Sequence, residues 1–387
     1  MSKIRLMYLN PSLTQGGAER HVVDVVANLD RSRFDVAMCV VRPGVHYQKD
    51  LPAGEPRFLL NRFFFSPLAF LGVVAAIRKF KPDVLHSHLN DGNLMARLAV
   101  RFAAVPVVVT SVHLDDLNWM YRLLERRLWP ATSRIVAVSR GVRDFLVDTV
   151  RVPAERVQIV VNGVDPARFV PGSDEQRLAA RRQFNIPETA QVALMPARIS
   201  VQKNQDLVVQ TLGALKKSGE LPDDFLLLLA GRTSSGRFMR KVQRLIAQHG
   251  LHDQVRLLGT VKEMQALYWG SDLVFMPSKS EGSSIAAFEA MSAGLPVLIS
   301  DRGNTDGVII DGQTGWQVPA NDLPALARAV RQIFQTSHAE RRRRGAAGRR
   351  RIEERYTLKR VAHDLETLYE SLLTAATAAA ANNKSAA

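Results

Sequence analysis

The sequence predicts an α/β protein of two doubly wound, Rossmann-like domains whose parallel sheets face each other across a cleft. The chain has 387 residues, of which 46% are hydrophobic, and that is enough apolar material for two cores. Apolar, β-branched runs alternate with helical patterns, and runs that are apolar throughout indicate strands buried on both faces. This rhythm stops at a turn-rich segment and then starts again, which indicates a second sheet of the same kind.

The expected strands of the first domain are IRLMYLN, DVAMCVV, DVLHSH, VPVVVTSVH, RIVAVS and VQIVVNGV, and those of the second are VALMPAR, DFLLLLAG, VRLLGT, DLVFMPS and PVLISD. Between them, NGVDPARFVPGSDEQR collects glycine and proline and is the expected hinge. We therefore predict domains over residues 1–168 and 169–355 and a flexible tail over 379–387. Ligands of such sheets bind outside the carboxyl ends of the strands, so the informative loops are those that follow strands.

The formal net charge of +15 calls for anionic partners or for solvation, and phosphate-bearing ligands, anionic lipid and nucleic acid all qualify. The run RRRRGAAGRRR at 341–351 fits either a solvated helical face or a functional basic patch. Aromatic residues are not interleaved with these arginines, so nucleic-acid binding is only a distant third hypothesis.

Cys39 is the only cysteine, which excludes a disulfide or a cysteine-built metal site within one chain. The apolar start of the chain is too short for a signal peptide, and we expect a cytoplasmic protein. The apolar segment 63–77 is shorter than the roughly 20 residues of a membrane span, which favours a buried or interfacial helix. The segment 116–130 mixes Trp and Tyr with arginines, as in a helix on anionic lipid, although a helix packed on the sheet is an equal alternative.

Two loops could bind a diphosphate. Gly16 and Gly17 precede a helix whose N-terminal N–H groups attract anions, although such a pair is about as often a plain turn. Arg198 and Lys203 follow a strand of the second domain, where they could grip a diphosphate or simply be solvated.

The stretch SEGSSIAAFEAMSAGLP predicts a short helix between two buried strands. Ser283 or Ser284 suits its N-cap, and Gly294 suits the C′ position. Glu281 lies just before the helix, where its positive end favours a carboxylate, whereas Glu289 lies on the helix body. Two acceptors so placed suit the two sugars of a nucleotide sugar, although exposed glutamates at a helix edge are generally commoner.

Three histidines follow strands of the first domain. His113 ends an apolar run on the expected ligand side, which raises the chance that it touches the reaction centre. His86 and His88 lie two positions apart, and we expect their rings on opposite faces of the extended chain. No third ligand is apparent, so a metal site is disfavoured.

The chain resembles the retaining glycosyltransferases of family 4 with the GT-B fold over essentially its full length. The resemblance depends on GGAER, NGVDPARFVP, ARISVQKN and, above all, SEGSSIAAFEAMSAGLPVLISD, which has two glutamates separated by seven residues. The motifs are individually loose, but their order and separations together are specific. The resemblance implies that the N-terminal domain, residues 1–168, binds the acceptor and that the C-terminal domain, residues 169–355, binds the nucleotide sugar. In this family the last helix, here residues 356–378, returns to the N-terminal domain.

The resemblance also implies roles for single residues. It implies that Gly16 and Gly17 approach the phosphates of the donor and that Arg198 and Lys203 hold its diphosphate. Leu258 would line the base pocket, Glu281 would bind the transferred sugar and Glu289 would bind the ribose. The diphosphate would also be contacted at the start of the short helix, by Gly282, Ser283, Ser284 and Ile285. His113 would lie near the anomeric carbon, so the implied catalytic residues are His113, Arg198, Lys203 and Glu281.

The chain departs from the family pattern in two places. Ala197 stands where glycine is common in the family. Gly-Ser-Ser-Ile follows Glu281 in place of a bulkier run, so the sequence does not identify the donor sugar. The implied reaction is retaining transfer from a UDP- or GDP-sugar to an acceptor hydroxyl, without metal or other cofactor. Polysaccharide or lipopolysaccharide synthesis on a lipid-linked saccharide at the inner membrane face is the expected context. A nucleotide-sugar epimerase of the same fold is the alternative.

Overall fold

The computed structural model describes residues 3–14, 16–43, 46–52, 54–64, 66–115 and 118–385, without the side chains of residues 48 and 383–385. The chain divides into two compact units. The first unit comprises Met1–Gly163 and Leu358–Ala387, and the second comprises Val164–Thr357. The division falls inside the predicted hinge, a few residues before the expected boundary at 168.

The first unit alternates strands and helices in chain order. Its elements before the division are β1 (Ile4–Asn10), α1 (Gly17–Asn28), β2 (Phe34–Val40), β3 (Arg57–Leu59), α2 (Pro67–Phe80), β4 (Val84–His88), α3 (Leu89–Ala99), β5 (Val107–Val112), α4 (Trp119–Leu128), β6 (Arg134–Ala137), α5 (Arg140–Asp144) and β7 (Val157–Ile159). Short 3-10 turns occupy Gln48–Asp50, Trp129–Ala131 and Ala154–Arg156, and one π-helical turn occupies Phe145–Val150.

The second unit repeats this alternation. Its elements are α6 (Asp174–Gln183), β8 (Gln191–Pro196), α7 (Gln205–Lys217), β9 (Phe225–Ala230), α8 (Gly236–Gln248), β10 (Val255–Gly259), α9 (Met264–Gly270), β11 (Leu273–Met276), α10 (Ile285–Ser292), β12 (Val297–Ser300), β13 (Gly315–Val318), α11 (Leu323–Gln335) and α12 (His338–Arg355). Two 3-10 turns lie at Val201–Lys203 and Asp301–Gly303.

Each unit contains one parallel sheet. The spatial orders are β3-β2-β1-β4-β5-β6-β7 in the first unit and β10-β9-β8-β11-β12-β13 in the second. Strand order reverses between β1 and β4 and again between β8 and β11, so each sheet has a topological switch point, the usual place for ligands in such sheets. The predicted doubly wound parallel α/β fold is confirmed.

The apolar runs that predicted the strands form the two cores. In the first unit, side chains such as Leu6, Tyr8, Val36 and Val109 are fully or almost fully buried. In the second unit the corresponding core contains Met195, Leu227 and Phe275. Burial on both sheet faces explains why the strand runs carry almost no alternation of polar residues.

The last helix, α13 (Leu358–Ser385), belongs to the first unit. Its buried residues, among them Leu365 and Tyr369, join the core that contains β1 and β2. Glu366 accepts a hydrogen bond from the N–H of Asp30 at 2.7 Å. The helix continues through Ser385, whereas the sequence predicted a flexible tail from residue 379. The alanine-rich composition of that stretch has high helix propensity and so extends the helix.

The arginine run 341–351 lies within α12 and is largely engaged with its own unit. Arg344 stacks on Trp316 with 4.6 Å to the ring centroid, and Arg349 donates to the carbonyl oxygens of Phe169 and Ser292. Arg351 donates to the carbonyl oxygens of Gly307 and Val308. The run is therefore solvated in part, because Arg342, Arg343 and Arg350 are exposed, whereas the arginines named above contact the rest of the unit.

Helix α12 also fixes the position of α10. A Cβ atom at Gly345 would come within 1.8 Å of the carbonyl oxygen of Gly294, which lies two residues after the end of α10. Gly294 has φ +79°, and the N–H of Leu295 donates to the carbonyl of Ala290 at 2.9 Å. These features form the expected glycine-terminated end of α10.

Within the described residues, no helix combines the length and the apolar character that crossing a membrane requires. The apolar segment 63–77 contains the start of α2, where the Ser66 side chain accepts from the N–H of Leu68. Phe65 lies outside the described residues. Helix α2 packs one face into the core and leaves Leu68 and Leu71 exposed.

Candidate active site

The switch point of the second sheet brings together two loops that are distant in sequence. Strands β8 and β11 are neighbours, and the loops after them carry Arg198, Lys203 and Glu281. The carboxyl ends of parallel strands lie at one edge of a sheet, so these loops meet at that edge.

Lys203 and Glu281 form an ion pair across these loops. The Glu281 side chain is 7% exposed and that of Lys203 14% exposed, so water screens the pair only weakly. The hydroxyl of Ser278 donates a second hydrogen bond to the same carboxylate oxygen at 2.6 Å. The cation of one predicted motif and the first glutamate of the other therefore occupy one site.

Backbone contacts hold the two loops in register. The N–H of Lys279 donates to the Gln202 carbonyl at 2.8 Å, and the Gln202 side chain donates to the Ser280 carbonyl at 3.1 Å. Asn204, with φ +66°, donates from its side chain to the Pro277 carbonyl. The ion pair therefore lies on a preformed frame.

Arg198 is exposed, and within the described part of the chain it has no ion-pair partner. Its carbonyl accepts from the Gln205 side chain at 2.8 Å, which anchors the backbone and leaves the guanidinium to solvent. Gly231, after β9, packs so closely that a Cβ there would lie 2.2 Å from the Ala197 carbonyl oxygen. The loop is fixed while its cation is free to bind an anion.

Glu289 lies on α10 and accepts a hydrogen bond from the Tyr268 hydroxyl at 2.9 Å. Burial, and then the Glu289 carboxylate, raise the pKa of Tyr268 well above its usual value, so the phenol stays protonated and donates. Glu289 is itself half-buried. Tyr268 thus orients a carboxylate that retains some access to solvent.

The structure confirms the predicted N-cap position of α10. Ser284 is the N-cap residue, but its side chain makes no capping hydrogen bond. The buried hydroxyl oxygens of Ser283 and Ser284 have no hydrogen-bond partner among the described residues. The helix N-terminus is consequently open, with polar atoms that a ligand could pair.

The remaining donor-site predictions fall on neighbouring elements. Gly282 is buried in the loop before α10, and Ile285, the first residue of α10, is half-buried. Leu258 is a half-buried residue of edge strand β10, where the ladder to β9 is irregular between Leu257 and Gly259.

In the first unit, Gly16 is the N-cap of α1 and Gly17 its first residue. The predicted anion site there carries a carboxylate of its own, because a Cβ at Gly16 would lie 2.3 Å from Oε2 of Glu19. A carboxylate already complements the positive end of this helix. A phosphate at Gly16 and Gly17 would have to displace it.

A cluster of buried histidines lies at the carboxyl ends of β4 and β5. His86 bonds the Tyr369 hydroxyl through Nδ1 at 2.6 Å and the Ser111 hydroxyl through Nε2 at 2.8 Å. His88 bonds His113 at 3.2 Å, from Nδ1 to Nε2. The expectation that His86 and His88 point to opposite faces is wrong: their rings are 4.2 Å apart, because residues two apart on a strand share a face.

The histidine cluster is uncharged at neutral pH. Burial lowers the pKa of His86 to about 3 and that of His113 to about 4. His21, on α1, accepts from the N–H of Gly163 at 3.2 Å, and burial lowers its pKa to about 3 as well. Burial also lowers the pKa of His88, and the neighbouring rings add to the effect. His113 directly follows β5 and is partly exposed, so of this cluster it is the ring placed to meet a ligand. Within the described residues, no group of three or more His, Cys, Asp or Glu side chains could hold a metal ion.

Sequence reasoning missed Ser278, Tyr268 and Tyr369. Tyr369 is 283 positions from its partner His86, and Tyr268 is 21 positions from Glu289. Neither tyrosine stands in a motif, so only their placement in the fold reveals the contacts. Ser278 lies three residues before Glu281 and could have been proposed as its hydrogen-bond donor.

Two family models match the chain, one over each predicted domain. The model described as Glycosyltransferase Family 4 matches residues 15–168, and the model described as Glycosyl transferases group 1 matches residues 176–351. Together with two doubly wound sheets, these matches place the chain in the family 4 glycosyltransferases of the GT-B type, to which it belongs. The predicted family and enzyme class are confirmed.

Curated relatives are similar at moderate identity. A D-inositol 3-phosphate glycosyltransferase of Salinispora tropica is 29% identical over 74% of this chain, and the match spans 63% of that relative. The UDP-Gal:alpha-D-GlcNAc-diphosphoundecaprenol alpha-1,3-galactosyltransferase of Escherichia coli is 22% identical over 86% of the chain and 88% of the relative. Among solved structures, Anabaena HepE in complex with UDP has a TM-score of 0.81 at 18% identity, covering 95% of this chain and 100% of HepE, a likeness that concerns the fold.

Proposed function

We propose that this glycosyltransferase moves a sugar from a nucleoside diphosphate sugar, with a UDP or GDP carrier, to an acceptor hydroxyl with retention at the anomeric carbon. The observation that carries the proposal is the pairing of Lys203 with Glu281 at the switch point of the second sheet. One cation suited to a diphosphate and one carboxylate suited to sugar hydroxyls thereby occupy one preformed site.

The charged side chains of the site have different roles in the proposed reaction. As the bond to the leaving diphosphate breaks, negative charge grows on the phosphate oxygens, and Lys203 and Arg198 are placed to stabilise it. Lys203 shares its charge with Glu281 in the absence of donor, so it is oriented before the donor binds. In this proposal, Glu281 accepts from hydroxyls of the transferred sugar and Glu289 from the ribose.

The proposal needs no metal or other cofactor, because cations and helix N-termini supply the positive charge. The open N-terminus of α10 contributes N–H groups beside the unpartnered hydroxyls of Ser283 and Ser284. His113, neutral at pH 7, would contact the donor sugar near the reacting carbon.

The donor is tested by thermal shift with a panel of UDP- and GDP-sugars, since a bound donor stabilises the fold in proportion to its occupancy. UDP is the first nucleotide to try, because the name of the E. coli relative specifies UDP-Gal and HepE was solved with UDP. Absence of stabilisation by every nucleotide sugar contradicts the proposal. Incubation of the matched donor alone tests the epimerase alternative, which predicts a new nucleotide sugar without any acceptor.

The stereochemistry and the metal requirement have direct tests. Proton NMR of the transfer product from an α-linked donor should show an α-linkage, and a β-linkage would contradict retention. Transfer should continue at an unchanged rate in excess EDTA, whereas loss of activity that Mg²⁺ or Mn²⁺ restores would contradict a metal-free reaction.

We also propose that the acceptor is a saccharide presented at an anionic membrane surface, because α4 has an unusual orientation. A buried ion pair between Glu125 and Arg97, with N–O distances of 2.6 Å, and a hydrogen bond from Tyr121 to Asp91 hold this helix to the unit. Trp119 is 73% and Leu123 41% exposed, whereas Leu124 and Leu128 are half-buried.

Charge and further apolar surface support a lipid partner. Exposed arginines at 122, 126 and 127 accompany the apolar residues of α4. The same unit exposes further apolar side chains, namely Phe63 (88% exposed), Leu68 (57%) and Phe102 (60%). Apolar side chains interspersed with arginines suit the headgroup region of an anionic bilayer.

Sedimentation with vesicles tests the membrane proposal. The protein should bind vesicles that contain phosphatidylglycerol and not neutral phosphatidylcholine vesicles, with binding weakened by salt. Replacing both Trp119 and Leu123 with Ser should reduce binding, whereas the control Val201→Ser, which removes an exposed apolar side chain of the second unit, should not. Equal binding by both variants contradicts a role for α4.

A further inference from the structure

The end of the NGVDPARFVP motif lies between helices α9 and α10 and is hydrogen-bonded to both. Toward α9, Val170 exchanges two hydrogen bonds of 3.0 Å with the side-chain amide of Gln265, one through its N–H and one through its carbonyl. The same carbonyl accepts from the indole N–H of Trp269 at 2.8 Å. The proposed function assigns no role to this segment.

Phe169 makes the contacts toward α10. Its carbonyl accepts from the hydroxyl of Ser292, the last residue of α10, at 2.7 Å, and from the guanidinium of Arg349 at 3.0 Å. Arg349 also donates to the Ser292 carbonyl, so it ties the segment to the end of the helix. A Cβ at Gly172 would lie 2.6 Å from Cδ1 of Trp269, so the backbone passes close against α9. The segment therefore fixes how far α9 lies from α10.

The Phe169 side chain packs on the residue that orients Glu289. Its ring is 4% exposed and meets the Tyr268 ring edge to face, with 5.8 Å between the centroids and 80° between the planes. The Tyr268 hydroxyl donates to Oε2 of Glu289 at 2.9 Å and lies 3.4 Å from the carbonyl oxygen of Ala286. A phenol has one proton to donate, so a tilt of the ring would direct it away from the carboxylate and toward that carbonyl.

The contact between the two rings opposes such a tilt. Aromatic pairs prefer defined geometries, and the edge-to-face arrangement of Phe169 and Tyr268 is one of them. In a close-packed interior, a side chain keeps its orientation because its neighbours leave it no room to move. A binding group must be held within about 0.5 Å of its productive position, and packing supplies that precision. Leucine at position 169 would fill part of the volume and leave the tyrosine ring room to tilt.

We propose that Phe169 is a positioning residue for the ribose of the donor: it holds the Tyr268 ring, and Tyr268 in turn aims the Glu289 carboxylate at the ribose hydroxyls. This inference rests on the proposed ribose contact of Glu289. It gives the end of the NGVDPARFVP motif a role in nucleotide recognition, although Phe169 acts only through Tyr268.

A pair of nucleotides isolates the ribose contact from the rest of the donor site. UDP and 2′,3′-dideoxy-UDP have the same base and diphosphate, so contributions of Arg198 and Lys203 cancel in the ratio of the two Kd values. In the wild type, dideoxy-UDP should bind about tenfold more weakly, as for the loss of a hydrogen bond to a carboxylate. Calorimetry measures both values. GDP and dideoxy-GDP replace this pair if the protein binds GDP and not UDP.

Two substitutions test the chain of contacts. Phe169→Leu removes the ring edge, and Tyr268→Phe removes the hydroxyl and keeps the ring contact. Both should lower the ratio of the Kd values by about threefold or more, because a carboxylate that is no longer aimed loses most of its hydrogen bond to the ribose. Phe169→Met serves the same purpose if Phe169→Leu does not fold. A ratio in the position-169 variant equal to that of the wild type overturns the inference.

A matched control separates positioning from general stability. Phe225 is another buried phenylalanine of the second unit, and its ring packs edge to face on Phe334 with 5.1 Å between the centroids. Phe225→Leu therefore removes a ring contact of the same kind, and urea denaturation compares its loss of stability with that of Phe169→Leu. The ratio of the Kd values should remain at the wild-type level in Phe225→Leu. An equal fall of the ratio in both variants overturns a specific role for Phe169.

The wild type distinguishes failure of this inference from failure of the proposed function. If it binds neither UDP nor GDP, the proposed function fails and the inference fails with it. If it binds UDP and dideoxy-UDP equally, nucleotide binding stands, but the ribose contact and the role of Phe169 are both overturned. If it discriminates between them and Phe169→Leu discriminates equally well, the inference alone is overturned.

Discussion

The switch point of the first sheet carries neutral histidine side chains. The switch point of the second sheet carries a cation, Lys203, and a carboxylate, Glu281. Burial holds His86 and His113 uncharged, while Lys203 and Glu281 neutralise each other. The two sheets have the same doubly wound topology, so the topology alone did not determine this difference. The fold supplies a place for ligands, and the residues at the strand ends decide which charges and hydrogen-bonding groups that place offers.

The sharpest way to break this comparison is to remove the cation of the second unit. Lys203→Met should lower turnover by at least about tenfold, or about 1.4 kcal/mol of transition-state stabilisation. It should also lower the free energy of unfolding by about 3–5 kcal/mol, because the buried Glu281 carboxylate loses its partner. Steady-state kinetics and urea denaturation measure the two effects.

A matched control separates the roles of this lysine. Lys241, in the same unit, also forms an ion pair with a carboxylate, that of Asp206, but its side chain is half exposed. Lys241→Met should therefore leave turnover unchanged. Restoring stability with the double variant Lys203→Met, Glu281→Gln should not restore turnover. Wild-type turnover in Lys203→Met removes this lysine from the mechanism.

Acid should affect the first unit more than the second. The folded histidines His21, His86 and His113 take up protons only near pH 3–4, whereas unfolded histidine does so near 6.5. The unfolded state therefore binds more protons between these values. The contribution to stability is fully present above about pH 6.5 and is lost as the pH falls toward 3.

Tryptophan fluorescence reports the two units separately. Variants that retain only Trp119 and Trp129 report the first unit, and variants that retain only Trp269 and Trp316 report the second. Between pH 6.5 and 4 the midpoint of urea unfolding should fall further for the first pair. Equal shifts for both pairs would show that the buried histidines do not set the acid sensitivity.

A smaller effect is expected when the histidine cluster loses one hydroxyl. Tyr369→Phe removes the partner of His86 Nδ1 and of the Tyr8 hydroxyl, which lie 2.6 and 2.9 Å from it. The free energy of unfolding should fall by about 1–2 kcal/mol, measured by urea denaturation. Tyr47→Phe serves as the control on a phenol outside this cluster. A change of the same size in both variants contradicts a special role for the Tyr369 hydroxyl.

The smallest effect on stability is expected at Glu289. Glu289→Gln keeps an oxygen that accepts from the Tyr268 hydroxyl, so the free energy of unfolding should change by less than about 1 kcal/mol. The Kd for the matched nucleotide sugar should nevertheless rise, because a neutral amide accepts less strongly from ribose hydroxyls than a carboxylate. Calorimetry measures that Kd, and an unchanged value contradicts ribose binding by Glu289.

Much of the fold follows from local patterns in the sequence. Apolar runs predicted the buried strands, and Gly294 predicted the end of α10, because periodicity and glycine conformation are properties of neighbouring residues. Ser284 is the N-cap of α10, as one of the two predicted alternatives, but residue type alone did not reveal that its hydroxyl makes no capping hydrogen bond. The sequence could not reveal the acceptors of Arg349 in α12, because they are the distant carbonyl oxygens of Phe169 and Ser292.

The sequence by itself determined the family, the two parallel sheets and the residue types at the strand ends. Only the tertiary structure decided which residues meet: it paired Lys203 with Glu281, placed Tyr369 on His86 and packed Phe169 against Tyr268. The physical reason is that residue type and spacing act locally along the chain. Partnership, burial and the resulting pKa values depend on which distant segments the sheet brings to the same edge.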